Sequence, residues 1–427
     1  MSVVVFRSVT IVDPQSSHHL RQADVAVGEG YIQQIGPPGS LPAAGREVNI
    51  AGACLSPGWV DMHVQLNEPG YEWKERMDEL AEAARLGGFT AVLCYPNTLP
   101  PVDHRQMVEA LSRKASLYPV DLWFTGSLSQ GVKGKELAEL YDMATAGALA
   151  FTDGSHPLEH TGLLLRAMQY LQAFEGLMIH YPGDSTLSGQ GQMNEGETST
   201  RLGMPGIPEL AESVGLAKVT ELLKYAGGRL HLQPLTAPSA MQQLAAARRQ
   251  FPTLSTGTDV MYLSLDDSLL EQYDTHYKVM PPLRSKAQQE QLKKALQEGL
   301  IDTLSSGHSA QSQEEKNMEF SLAEPGMLGL QTAYSLANMQ LVQKNIIDQG
   351  RLIEMMSINP RKILQKAPVS VQEGQKANLT LFHPHAEWEL QAGSLPGRSR
   401  NSPLLNQRLR GKVLGIYHKE LLHLATD

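Results

Sequence analysis

The sequence predicts an α/β protein: one eight-stranded (β/α)8 barrel, with a small β-sandwich built from both chain termini. Three observations predict it. Residues 57–366 alternate short apolar strand runs with helical segments, the pattern of parallel strands joined by crossover helices. Residues 1–56 and 367–427 instead carry β-rich runs separated by turn residues. And 427 residues are too many for one small core but suit a large TIM-type barrel with a satellite.

The elements follow in order. At the start, Val3–Phe6, Val9–Val12, Ala23–Val27 and Tyr31–Ile35 are β-rich, with Gly28-Glu29-Gly30 as a hairpin-type turn. Pro37, Pro38, Gly39 and Pro42 make a loop. Trp59–Gln65 opens the barrel region as a strand. Side chains alternate across a strand, so His63 and Gln65 fall on one face. A helix over Met77–Leu86 and a strand over Thr90–Tyr95 come next. Leu177–His180 is a further strand, and Pro208–Leu223 and Ala287–Gln297 are helices. Ala377–Phe382 and Gly411–Tyr417 return to β character, and the two terminal regions are expected to pair.

Composition narrows the function classes. Net charge is -9, with no basic run or aromatic-laced basic stripe, which argues against a nucleic-acid partner. The apolar run in the first residues is too short to span a membrane and lacks a signal-peptide layout. Two cysteines, Cys54 and Cys94, are too few for a disulfide framework. Both sit in strand-like runs as small core residues, so a cytoplasmic location is expected.

Several segments, in order, carry a resemblance. They are SPGWVDMHVQLNEPG from Ser56, GGFTAVLCYPNT ending at Thr98, Tyr277–Arg284 with its Pro-Pro-Leu-Arg, Glu315-Lys316, and Ala377–Phe382. The chain resembles a class I dihydroorotase of the amidohydrolase superfamily over nearly its whole length. The resemblance implies interconversion of N-carbamoyl-L-aspartate and L-dihydroorotate. It implies zinc to acidify a water, a carboxylate to shuttle the proton, and cationic or amide groups to hold the substrate.

Position by position, the chain departs from that pattern. Gln65 stands where the second histidine of a His-X-His pair belongs, and Pro234 where another histidine ligand belongs. Gly307 replaces the shuttling aspartate, Asn67 an arginine, and Met280 an asparagine. His63, Asp153 and His180 remain as vestigial ligands and Asn97 as a vestigial substrate contact; His231 matches a family histidine that is not a ligand. Blander roles stand beside these. His63 reads as a satisfied buried histidine and Asn97 as a turn residue. Asp153 and His180 could bond one another or bind metal weakly. His308, His156 and His160 read as loop histidines, and Ser309–Met318 as a flexible loop.

Ligand, base and anchor act as a unit, so their joint loss implies a chain without activity. The expectation is therefore a non-catalytic subunit that supports aspartate carbamoyltransferase chains, with homodimer contacts inside a dodecamer. No cofactor is expected, or zinc at low occupancy. Two alternatives stay open: an active amidohydrolase with a reduced, single-zinc site on His63, Asp153 and His180, and a ligand-sensing chain.

Overall fold

In the computed structural model, residues 3–43, 45–155 and 157–425 are described. The strands are β1 (Val4–Ile11), β2 (Gln22–Gly28), β3 (Tyr31–Gly36), β4 (Arg46–Asn49), β5 (Cys54–Pro57), β6 (Trp59–Gln65), β7 (Phe89–Tyr95), β8 (Asp121–Gly126) and β9 (Ala150–Phe151). They continue as β10 (Leu177–His180), β11 (Met193–Asn194), β12 (Gly206–Ile207), β13 (Arg229–Leu232), β14 (Leu254–Asp259), β15 (Thr303–Ser305), β16 (Leu379–Glu389), β17 (Arg408–His418) and β18 (Leu421–Leu424).

Eight strands form the barrel sheet in the order β15-β14-β13-β10-β9-β8-β7-β6, every pairing parallel. The two ends nearly close. Gln65 N–H donates to the His308 carbonyl at 2.9 Å, and Val64 bridges to His308 just beyond β15. Val60, Met62, Leu93, Ala150 and Ile179 fill the barrel interior as one apolar cluster. The outer faces of the strands pack under helices such as Met77–Leu86, Leu210–Ala226 and Lys286–Gln297. The last of these starts at Ser285, whose hydroxyl accepts from Gln288 N–H while the Gln288 side chain reaches back. No helix among the described residues is long and apolar enough to cross a membrane.

Both termini meet in a second sheet, ordered β18-β17-β16-β5-β1-β2-β3, with β4 beside β1. The two short runs expected at 3–6 and 9–12 are one strand, β1, whose pairing with β2 shifts between Phe6 and Val9. β16 runs antiparallel to β5, with Leu381 opposite Leu55. One residue, Gly58, separates β5 from β6, so the satellite sheet runs straight into the first barrel strand. A Cβ at Gly58 would lie 1.9 Å from Asn378 Oδ1, a close approach that only glycine permits. Just inside this junction Trp59 is fully buried, its ring against Phe89, Tyr334 and Phe382. Its indole N–H donates to Ser56 Oγ at 3.0 Å, so the polar edge is satisfied.

Candidate active site at the barrel mouth

The C-terminal ends of the strands open into a cavity of about 760 Å³. In barrels of this kind that end carries the chemistry, because the βα loops there are free of the core's packing demands. His63 and Gln65 on β6 both line it, as the alternation in sequence predicts. A register irregularity against β7 between Asp61 and Val64 carries both side chains to the rim, although Val60 and Met62 face inward.

The centre of the site is a carboxylate that the sequence pattern did not single out. Asp259 ends β14, is 1% exposed, and holds His63 Nδ1 at 3.0 and 2.9 Å through its two oxygens. It occupies the space beside Gly307. A Cβ at Gly307 would lie 2.8 Å from Asp259 Cγ and 2.7 Å from Met261 Cε. Gly307 also has φ +64°, a conformation side chains disfavour. Position 307 itself offers no carboxylate, but the neighbouring strand supplies one beside it. A strand-final acid after Leu-Ser-Thr-Gly-Thr was the available signal.

A buried chain of hydrogen bonds fixes that carboxylate. Ser255 Oγ and His231 Nδ1 are 2.9 Å apart. His231 Nε2 meets Gln233 Oε1 at 3.0 Å, and Gln233 Nε2 donates to Asp259 Oδ1 at 3.0 Å. Burial pushes His231 down to about 4, against the pull of Gln233, so it is neutral and its Nε2–H donates. His63 behaves oppositely. Burial disfavours its imidazolium, but the charge of Asp259, its hydrogen bond and the charge of Asp61 outweigh burial and raise the pKa. Asp61, fully buried, is raised to about 6 by desolvation even though Ser306 and the His63 N–H bond it.

The remaining expected residues separate. Asp153 and His180 do not bond one another. The Asp153 carboxylate accepts from the Leu128 and Ser129 N–H groups at 2.9 and 3.0 Å and from the Ser129 hydroxyl. His180 is 3% exposed with Nε2 unpartnered, and burial, aided by Lys218, pushes it down to about 3. Gln65 turns its amide N–H groups to the Leu66 and Asn97 carbonyls. Asn97 donates to the Asp153 carbonyl at 3.1 Å, leaving Oδ1 unpartnered. Asn67, 4% exposed, keeps an unpartnered Nδ2.

His308, outside the named strands and helices as a loop histidine would be, is 3% exposed, and its Nε2 lies 3.0 Å from Glu75 Oε1. The loop expected to be flexible is ordered by the capped turn Gln313–Lys316, with Lys316 Nζ donating to the Glu324 and Gly326 carbonyls. His160 accepts from Leu163 N–H as a helix cap, while position 156 lies outside the described residues. Arg284 of the Pro-Pro-Leu-Arg segment is 2% exposed and bonds Asn194, Thr236 and Glu212, a structural anchor.

The zinc that the family resemblance implies needs several converging donors. Among the described residues no three His, Cys, Asp or Glu side chains are placed to hold an ion. Proline at 234 has no donor atom, the Gln65 oxygen is a weak one, and Asp153 is turned into the 128–129 backbone. The donor set does not fit a binuclear centre, so no step is routed through metal.

Residues 52–237 match a family model described as dihydro-orotase-like. A dihydroorotase of Syntrophus aciditrophicus is 34% identical over 418 residues, covering 96% of both chains. One from Carboxydothermus hydrogenoformans is 36% identical over 401 residues, covering 93% of both. Among solved structures, an L-hydantoinase (dihydropyrimidinase) from Arthrobacter aurescens is 22% identical. It covers 100% of this chain and 98% of its own, with a TM-score of 0.87. A dihydropyrimidinase from Brevibacillus agri reaches a TM-score of 0.81 at 19% identity, over 99% of this chain and 95% of its own. These two show the fold. The relatives overturn the expectation of an inactive, purely structural chain: full-length chains of this similarity are named as enzymes. The physical error was to count donors by position, since Asp259 restores a carboxylate that the count at 307 had removed.

Proposed function

Since the chain belongs to the dihydroorotase-like family of amidohydrolases, we propose that it opens and closes the ring of a cyclic ureide of the dihydropyrimidine or hydantoin type, using a reduced site. One observation supports this most. The His63 imidazole is paired through Nδ1 with the buried Asp259 carboxylate, and both side chains line the cavity. A histidine oriented by a carboxylate beside open space is the acid–base pair that ring opening by water needs.

The acid–base work falls to His63 and Asp259. With Nδ1–H donating to Asp259, the imidazole keeps Nε2 for water. Water adds to the ring carbonyl as its proton moves to Nε2. The tetrahedral centre then collapses, the C–N bond breaks, and Nε2–H protonates the departing ring nitrogen. The product is an open N-carbamoyl amino acid, and closure runs the same steps backwards. The Tyr95 ring packs against His63 at 4.7 Å between centroids, tilted by 41°, and helps hold it in place.

The test is turnover of dihydroorotate, dihydrouracil and hydantoin, and closure of N-carbamoyl-L-aspartate, with the purified chain and with Asp259→Asn. Ring opening that disappears in the variant is expected. No turnover of any of these compounds by the unaltered chain would refute it.

A further inference from the structure

We infer that Asp61 is a positioning residue of the site: its carboxylate makes the bulge in β6 that carries His63 to the rim, and clamps that strand to the last strand of the barrel. Its effect on rate rests on the acid–base reading of His63 above; its effect on where His63 stands does not.

The bulge lies where Asp61 stands. From Asp61 to Val64, β6 advances three residues while β7 beside it advances two, from Val92 to Cys94. One residue of β6 is extra, and a strand with an extra residue bends and re-aims its side chains. Val60 and Met62 accordingly point into the barrel, whereas Val64 packs outside it. Asp61 Oδ1 accepts the His63 N–H at 2.9 Å. An aspartate that bonds the backbone two residues on makes a local turn in competition with strand pairing. The His63 N–H is thereby taken out of the ladder, and its imidazole reaches Asp259.

The second oxygen acts across the seam. β6 and β15 are the two ends of the barrel sheet. Asp61 Oδ2 accepts the Ser306 N–H at 2.9 Å, just past β15, and Ser305 Oγ accepts the Met62 N–H at 3.3 Å. The next residue is Gly307, against which Asp259 packs. One carboxylate therefore ties the strand bearing His63 to the turn beside Asp259. Asp61 is 0% exposed and lies outside the cavity lining, so it acts through His63 and not on a ligand. An amide could not replace it. With one oxygen it accepts from one of the two N–H groups and turns its own N–H groups toward the other, donor against donor.

The experiment compares the full chain with Asp61→Asn and Ser305→Ala. Proton NMR reads His63 Nδ1–H, which resonates downfield because it is bonded to a carboxylate. Amide exchange reads the N–H groups of His63 and Ser306, both expected to be protected in the unaltered chain. In Asp61→Asn the His63 proton should move upfield and one of the two amides should exchange about tenfold faster or more. There kcat for ureide opening should fall about tenfold or more with KM unchanged, because a displaced reacting group costs rate and not binding. Ser305→Ala loses a seam bond without touching the bulge, and should leave the His63 proton and kcat as they are. A native His63 proton and kcat in folded Asp61→Asn overturn the inference and leave the ureide reading standing. An equal shift in Ser305→Ala also overturns it, as does rapid exchange of either amide in the unaltered chain, which needs no variant. A displaced His63 proton in Asp61→Asn with no turnover by the unaltered chain supports the positioning and sinks the ureide reading.

Discussion

Replacing Asp259 by asparagine tests the centre of the site. Asparagine keeps the shape and removes the charge. In the native chain both carboxylate oxygens lie within 3.0 Å of His63 Nδ1, and Oδ1 also accepts from Gln233. An amide can accept at one oxygen only. If that oxygen stays toward Gln233, the amide nitrogen opposes the imidazole N–H as donor against donor. The charge-assisted bond lost is worth about 1.5–3 kcal/mol. Without Asp259, burial acts on His63 opposed only by Asp61, so its pKa should drop below the usual histidine value. A base that no longer accepts a proton effectively should lower kcat by about 10²–10⁴-fold. The assays are a proton-detected NMR titration of His63 and a steady-state ureide-opening assay. An unmoved His63 pKa together with an unchanged rate would refute the placement of Asp259 as its partner in catalysis.

Other outcomes follow from the same geometry. Gln233→Leu leaves Asp259 and His231 each short of one bond, and urea denaturation should show a loss of about 1–3 kcal/mol. Arg284→Met takes the cation from the buried Glu212 carboxylate, which keeps its bonds from Thr236 and Ala237, and the same measurement should show about 3–5 kcal/mol. For pH, His180 and His231 are pushed down to about 3 and about 4 in the fold, whereas an unfolded histidine takes its proton near 6.5. The stability they confer is full above about pH 6.5 and is lost as pH falls toward those lower values. Each should remove about 2 kcal/mol between pH 7 and 5, and His180→Asn should flatten its share of the slope in thermal melts across that range.

Much of the fold was legible because its signals are local. The strand at Trp59–Gln65 and the helix at Met77–Leu86 fall where periodicity puts them. The helix expected over 208–223 runs Leu210–Ala226, shifted toward Gly227, which ends it. β4, four residues with one buried, gave no periodic signal and exists only because β1 offers it an edge. The site was legible at its rim and not at its centre. His63 and Gln65 were placed by strand alternation. For Asp153 the sequence left a bond to His180 and weak metal binding both open, and the fold instead turns its oxygens to the N–H groups of residues 128 and 129.

The amino-acid order by itself determined that parallel strands alternate with helices, that both ends return to one β sheet, and that position 307 carries no side chain. It did so because backbone preference and apolar spacing act over a few residues. Which carboxylate stands at the mouth was decided only when β14 and β15 came to lie side by side. The absence of a Cβ at Gly307 opens a space, and only the tertiary structure shows that Asp259 reaches across from the next strand to fill it.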